Sequence, residues 1–441
     1  MRRDPAAEPG AARPREGDSS SRRDTLQRQS RPGRSRAAGR YDPRSLGPMR
    51  DILVLCPQER DRRAVAAAGL DQRYAVRFEG EDLDGLADFD PVAYLEGCAE
   101  LPADGVAATK DQSALLASIL AERRHLPGPT PAALLACQHK PTSRELQRAV
   151  APASTPRTAL LDGGLPFDPP FFVKPAVGRL SQGAVKIEAA DDLPDLAQVA
   201  ALDGYATRYE RIAALAGAPP GRARGVLAEE LLTGTEVTLE GYVHKGRVTT
   251  IGVTDSVKYP GTISFERFEY PSALPDERRA ELDRLAGLLV AAHGLNEAFF
   301  NVEFFVPEKG PVGIIELNGR LASQFAPLVL GLCGRSTYDA LFALACGDDP
   351  EWHPGPPDGV GVSYVLRVFE DAYVVEVPEP EDTLEVLVRP GCRLSEQGVN
   401  DAGSFRLAIL YGFGETAVEA AERCRERARA LSFRLEPEPP R

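Results

Sequence analysis

Residues 316–320 read Glu-Leu-Asn-Gly-Arg, the densest chemistry in the chain. Side chains two apart on a strand share a face, so Glu316, Asn318 and Arg320 are predicted to project together, opposite Ile315 and Leu317. A carboxylate, an amide oxygen and a guanidinium on one face suit a hard cation beside an anion such as phosphate. Glu303, in the apolar run FNVEFF, lies across a predicted hairpin turned at EKGP and adds a second carboxylate. Glu303, Glu316 and Asn318 thus offer oxygen ligands for one or two Mg²⁺ (or Mn²⁺) ions bridged by nucleotide phosphates. A solvated sheet face explains poorly why an acid held between FNV and FF should meet another after GII.

A second group is Phe172-Val173-Lys174-Pro175 followed by Gly178, Ser181 and Gly183. Backbone N–H groups of a Gly/Ser loop can wrap phosphate oxygens, and Lys174 can neutralise them from the strand before. Only 7 lysines stand against 45 arginines, so a lysine inside an apolar strand points to a need for a compact charge. Lys140 is a similar oddity, 34 residues upstream. The third group runs Glu229-Glu230-Leu231-Leu232-Thr233-Gly234-Thr235-Glu236. A link between two lobes can give an adenine amine its acceptor and a ribose its carboxylate; read without context, the same residues are a polar strand and turn. Lys258, Arg267 and Tyr270, in the stretch 257–271, could meet a substrate carboxylate or aromatic group, or could simply build a hairpin.

These residues need elements to hold them. At 441 residues the chain exceeds one ordinary core and suggests about three domains. DILVLC, YAVRFE and GVAAT read as strands alternating with helices, a small parallel α/β domain. From 166 the texture changes to antiparallel hairpins: FFVKP and AVKIE around the glycine loop, then GTEVTLEGYVHKGRVTTIGVTDS, then AFFNVEFF with GIIELN. PDERRAELDRLAGLLVAAHGL and ETAVEAAERCRERARAL read as amphipathic helices. The first strand is not followed by GxGxxG, so dinucleotide binding is unsupported. The five histidines form no triad with a serine or cysteine. Seven scattered cysteines without a CxxC pair argue against a zinc ribbon and fit thiols in a reducing, cytoplasmic setting.

The net charge of −13 hides an asymmetry. Residues 1–48 carry 12 Arg against 6 acids, whereas the rest carries 40 basic and 59 acidic side chains. An acidic body speaks against a nucleic-acid surface. No apolar run approaches the roughly 20 residues that span a bilayer, so no membrane association is expected. Residues 1–48 lack any periodic apolar pattern and are expected to be a disordered extension. Met49 is the only other methionine and directly precedes the first strand, so it is a candidate start of the chain.

In this order, the motifs resemble the ATP-grasp superfamily of carboxylate–amine ligases, over roughly residues 50–435. The resemblance implies a mixed α/β and α+β fold: an N-terminal parallel α/β domain (49–138), a two-lobed ATP-grasp domain with antiparallel sheets (139–350, lobes meeting near 229–236) and a C-terminal α+β substrate-side domain (351–441). It implies that Lys140 and Lys174 bind the nucleotide and that Gly178, Ser181 and Gly183 form a flap over its phosphates. Glu229, Glu230 and Leu232 would hold adenine, Glu236 the ribose, and Glu303, Glu316 and Asn318 the metal. Arg320 would face the transferred phosphoryl group and the acyl intermediate. His139 and Pro141 flank the first lysine where an acid and an uncharged residue are more usual in the family.

The implied reaction is ATP-dependent activation of a carboxylate as an acyl phosphate, displaced by an amine to give an amide or peptide bond with ADP and phosphate. The partners would be a small-molecule carboxylate and amine, and a homodimer is compatible with the family. Two alternatives remain: a biotin-carboxylase-like enzyme served by a separate carrier, and an ATP-binding regulatory protein without catalysis. Because residues 1–48 bring no core-forming pattern, a chain begun at Met49 is expected to keep the melting temperature and activity of the full chain. A large loss of either, by calorimetry and nucleotide turnover, would show that the arm docks on the body.

Overall fold

The computed structural model describes residues 49–86, 88–161, 164–179, 182–193, 203–397, 400–401 and 403–439. Residues 1–48 and Ser181 lie outside them. DILVLC falls in β1 (Arg50–Leu55), flanked in parallel by β2 (Tyr74–Glu79) and β3 (Gly105–Ala107) in the order β2-β1-β3. Residues 52–55 are all apolar because both faces are buried: Leu53 and Leu55 join one apolar cluster, Ile52 and Val54 another. Helices α1 (Glu59–Ala67), α2 (Pro91–Cys98) and α3 (Asp111–Arg123) connect and cover these strands. The short apolar VAYL lies in α2, started by Pro91 and by the Asp90 carboxylate, which accepts from the Val92 and Ala93 N–H groups.

Two helices follow that the sequence reading did not isolate, α4 (Pro131–Gln138) and α5 (Lys140–Val150). Thr130 caps α4 and His139 caps α5. The Lys140 N–H donates to the Ala176 carbonyl at 3.0 Å, pinning the start of α5 beside the glycine loop.

Four strands then form an antiparallel sheet: β4 (Thr158–Leu160), β5 (Phe171–Pro175), β6 (Val185–Ile187) and β7 (Val226–Glu230), ordered β4-β7-β5-β6, with α6 (Asp203–Leu215) before the last. The glycine loop is the β5–β6 connection, as expected, since Phe171 pairs with Ile187 and Val173 with Val185.

The largest sheet contains β8 (Thr235–His244), β9 (Arg247–Lys258), β10 (Phe265–Tyr270), β11 (Ala298–Val306), β12 (Gly313–Asn318), β13 (Val360–Val368), β15 (Leu384–Val386), β16 (Asn400–Asp401) and β17 (Ser404–Gly414). Its order is β12-β11-β8-β9-β10-β13-β17-β15, with β16 beside β17. Helix α7 (Asp276–His293) lies between β10 and β11 in the chain and buries Leu282, Leu285, Ala286, Leu289 and Val290. Helices α8 (Ala326–Cys333) and α9 (Thr337–Ala345) precede β13, and α10 (Ala417–Ala430) follows β17. Strand β14 (Tyr373–Glu376) pairs with the last strand, β18 (Arg434–Glu436). No single helix among the described residues is long and apolar enough to cross a membrane.

Strand β10 pairs with β13, so one sheet runs unbroken across residue 350. Backbone hydrogen bonding joins the two stretches, which no composition shift reveals. One expectation needs correction, the face assignment around Glu316. Glu303 pairs with Glu316 but Phe304 pairs with Ile314, leaving Ile315 as the extra residue of a bulge. Ile315 therefore lines the same cavity as Glu316, and β12 ends at Asn318, so Arg320 reaches that cavity from the following turn.

The link between the two antiparallel sheets is tight. Gly234 has φ +130°, and a Cβ there would lie 2.5 Å from the backbone carbon and oxygen of Val306. Both the dihedral and the approach exclude a side chain. Gly234→Ala is expected to cost at least about 2 kcal/mol, read as a lower urea midpoint, because neither neighbour is a side chain that can turn aside. Unchanged stability would mean that the link can shift away from β11.

Candidate functional site

A single cavity of about 900 Å³ is lined by residues from the parallel sheet's loops, both antiparallel sheets and the C-terminal strands. Lys140 and Lys174 both line it, although 34 positions separate them. Lys174 comes from β5; its Nζ lies 2.6 Å from Glu229 Oε2 on β7. Two turns of physics hold that pair. Phe172 sits opposite Glu229 in the register, so Lys174 reaches diagonally across to the carboxylate. Arg144, one helical turn after Lys140 on α5, clamps Glu229 from the other side, with Nε to Oε1 at 2.7 Å and a terminal nitrogen to Oε2 at 3.0 Å. The same guanidinium donates to the Ile315 carbonyl, 2.6 Å away, and so ties α5 to the bulge of β12. Lys140 Nζ lies 3.4 Å from the Gly178 carbonyl and 3.9 Å from Glu316.

Burial alone would raise the Glu229 carboxyl, but Lys174 and Arg144 beside it overcome that cost and hold it at about 2. Burial pulls Lys174 down, and Glu229 opposes it. At 2.6 Å, with Arg144 completing the carboxylate's surroundings, an ion pair is the arrangement that satisfies all three groups.

Glu303 and Glu316 face each other as register partners of β11 and β12. Burial first, then the carboxylates of Glu316 and Glu236, push the Glu303 carboxyl up to about 8. Asn318 Nδ2 donates to Asn301 Oδ1 at 3.0 Å and lies 3.4 Å from Glu303 Oε1. Arg320 Nε donates to Asp111 at 3.0 Å; burial would lower its pKa, but Asp111, Glu303 and Glu316 raise it. This donor set fits a hard divalent cation, because crowded carboxylates are what such an ion relieves. Among the described residues no group of three or more His, Cys, Asp or Glu side chains is placed to hold a metal. The protein ligands would be two carboxylates and one amide oxygen, with phosphate and water completing the shell.

Glu230, Leu232, Glu236, Gly178 and Lys258 also line the cavity. Lys258 Nζ is 2.6 Å from Glu236 Oε2, so a residue expected at the acceptor stands instead beside the expected ribose carboxylate. Glu230 receives the Arg157 backbone N–H at 3.0 Å. Gly183 takes φ +70° but is not among the lining residues. Nor is Arg267, which bonds to Glu269 at 2.7 Å and to Glu266. A bulge between Phe265 and Arg267 turns Phe265 and Phe268 toward the cavity in its place. Tyr270 is buried against Ile251 and Cys333.

The sequence reading missed Arg144, Asp111 and the cluster of Asp82, Asp84 and Lys110, in which Lys110 lies 2.7 Å from Asp82 and also pairs with Asp84. The spacing of Lys140 and Arg144 on one helical face was the available signal for the first. The others come from the loops of the parallel sheet and the first residue of α3, and carry none.

A family profile described as an ATP-grasp domain matches residues 167–327. That stretch of the chain resembles an ATP-grasp domain. The matched stretch holds Lys174, Glu229, Glu236, Glu303, Glu316, Asn318 and Arg320, while Lys140 precedes it. Carnosine synthase 1 of Gallus gallus is 30% identical over 234 residues, covering 49% of this chain and 24% of that protein. The chain spans under half the length of the curated relatives it matches. L-amino acid ligase from Bacillus licheniformis is similar in fold, with TM-score 0.71 at 17% identity, covering 88% of this chain and 99% of that one. The biotin carboxylase domain of Hydrogenobacter thermophilus 2-oxoglutarate carboxylase, solved with MgADP and bicarbonate, gives TM-score 0.61 at 14% identity, covering 88% and 92%. These likenesses show the mixed helix-and-sheet fold of ATP-grasp proteins.

The Glu229 carboxyl stands at about 2 in the fold against an ordinary 4.5, so its stabilising contribution is complete above pH 4.5 and drains away as pH falls toward 2. That contribution is about 3 kcal/mol. Glu229→Gln is expected to be less stable at pH 7 and to show a shallower loss across this acid window, by urea unfolding at several pH values. Parallel pH profiles in the two proteins would remove Glu229 as the source.

Proposed function

We propose that the protein is an ATP-dependent carboxylate–amine ligase that forms an amide bond through an acyl phosphate and releases ADP and phosphate. The observation that carries this reading is the single cavity in which Lys140, Lys174, the Glu303/Glu316/Asn318 set and Arg320 meet. It continues toward the loops of the parallel sheet and toward β13–β17, leaving room for molecules besides a nucleotide.

In this reading Lys140 and Lys174 meet the nucleotide phosphates, Glu230 and Leu232 lie at the base, and Glu236 with Lys258 at the ribose. Glu229 acts on the nucleotide through Lys174, which it orients. Glu303, Glu316 and Asn318 would hold Mg²⁺ or Mn²⁺, which supplies charge neutralisation along the phosphates. The substrate carboxylate oxygen attacks the γ-phosphorus, the bond to the β–γ bridging oxygen breaks, and ADP leaves. The amine then attacks the acyl carbon, gives up a proton, and expels phosphate. Arg320, oriented by Asp111, stabilises charge on the transferring group. An acyl phosphate hydrolyses in water, so the loop from Gly178 to Gly183 is expected to close over it.

The likeness to a biotin carboxylase domain keeps one rival in view: a carboxylating enzyme that activates bicarbonate. Bicarbonate-dependent ADP release without an amine would favour it, and no ADP with any pooled amino acid or bicarbonate would favour an ATP-binding regulator.

Glu316→Gln is expected to melt near the wild-type temperature while ADP formation falls by at least about 100-fold, since it removes charge at the point of phosphoryl transfer. Hydroxylamine should replace the amine and trap a hydroxamate. The products should be ADP and phosphate; AMP and pyrophosphate would overturn the roles given to Lys174, Arg320 and the two glutamates.

A further inference from the structure

Three strands at one end of the largest sheet share a polar face. Register sets Asn318 on β12 opposite Asn301 on β11, and Asn301 opposite Glu240 on β8. The next row of that face is Glu316, Glu303 and Thr238. Glu240 therefore stands one row away from the proposed metal set. It does not belong to that set: it is 3% exposed and does not line the cavity. A buried carboxyl that cannot meet substrate needs another reason to be there, because burying it is costly.

The reason lies in the turn that follows β12. The strand ends at Asn318, so no ladder hydrogen bonds reach the segment that carries Arg320. Two side chains of the polar face hold it instead. Asn301 accepts from Asn318 Nδ2 at 3.0 Å and donates its own Nδ2 to the Arg320 carbonyl, also at 3.0 Å. Glu240 Oε1 accepts the Ala322 N–H at 2.6 Å. The backbone of the turn is thus tied at two points to two adjacent strands, while Asp111 holds the Arg320 side chain from α3. Burial pushes the Glu240 carboxyl up to about 8, and the Ala322 N–H and the Arg320 guanidinium draw it back down.

We infer that Glu240 is a positioning residue for Arg320: with Asn301 it fixes the turn 319–322, and so holds the guanidinium in place for phosphoryl transfer. This deepens the ligase reading and rests on it for what Arg320 does; the placement of the turn does not need turnover.

The test uses the full chain with ATP, Mg²⁺ and pooled amino acids. Glu240→Ala is expected to lower kcat for ADP release at least about 100-fold, the cost of a misplacement of about 1 Å, with the KM for ATP near the wild-type value. Glu240→Gln keeps an oxygen acceptor and should recover most of the rate. In an Arg320→Lys background, Glu240→Ala should cost little more, because losses that run through one residue do not add. Wild-type kcat in Glu240→Ala, a full additional loss in the Arg320→Lys background, or no advantage of Gln over Ala overturns the assignment. If Glu240→Ala does not fold, Glu240→Leu, which fills the space without an acceptor, replaces it in each comparison. Should the wild type release ADP with no amino acid, the ligase reading falls, and a crystal structure of the same variant decides the placement. Arg320 displaced from Asp111 upholds the role of Glu240, and an unmoved Nε–Asp111 bond overturns it.

Discussion

Three charges set the geometry of this protein: Arg144, Glu229 and Lys174, from a helix and two strands, closed within hydrogen-bonding distance of one another's carboxylate or cation. Removing one partner of a buried pair leaves an uncompensated charge, which costs far more than the pair itself contributes. That constraint explains several placements at once. Helix α5 must lie where Arg144 reaches β7, which puts Lys140 beside the glycine loop. Strand β5 must present Lys174 at a fixed height. The additional bond from Arg144 to the Ile315 carbonyl carries the constraint to the strand that holds Glu316.

A second constraint opposes the first. Glu303 and Glu316 are brought together by β11–β12 pairing, although their like charges repel. Burial and that repulsion raise Glu303 far above a usual carboxylate. The fold tolerates the arrangement because Arg320 and Lys140 stand nearby. Crowded carboxylates of this kind are what a divalent cation would relieve, so stability is spent at a point where chemistry would occur.

Much of this was legible in the residues. Strand alternation identified the hairpins, and the rarity of lysine singled out Lys140 and Lys174. The run 316–320 announced an oxygen-donor set beside a guanidinium. Arg144 could have been found from its spacing to Lys140. Other parts were out of reach. The pairing of Lys258 with Glu236 follows from the register of β8 on β9, and the turning away of Arg267 from a bulge in β10; no sequence period shows either. The bulge at Ile315 similarly reversed one face assignment.

The sequence by itself determined which side chains are available and how each local segment folds, because periodicity, caps and turn residues act over a few neighbours. Only the tertiary structure decided which charges meet. Asp111 reaches Arg320 across 209 positions of chain, Arg144 reaches Glu229 across 85, and β13 sets Arg367 opposite Arg406. Those meetings follow from strand order and register, which are fixed by the packing of whole sheets against a shared apolar core. A one-residue slip would turn each of these strand residues to the opposite face, and nothing local in the sequence forbids it.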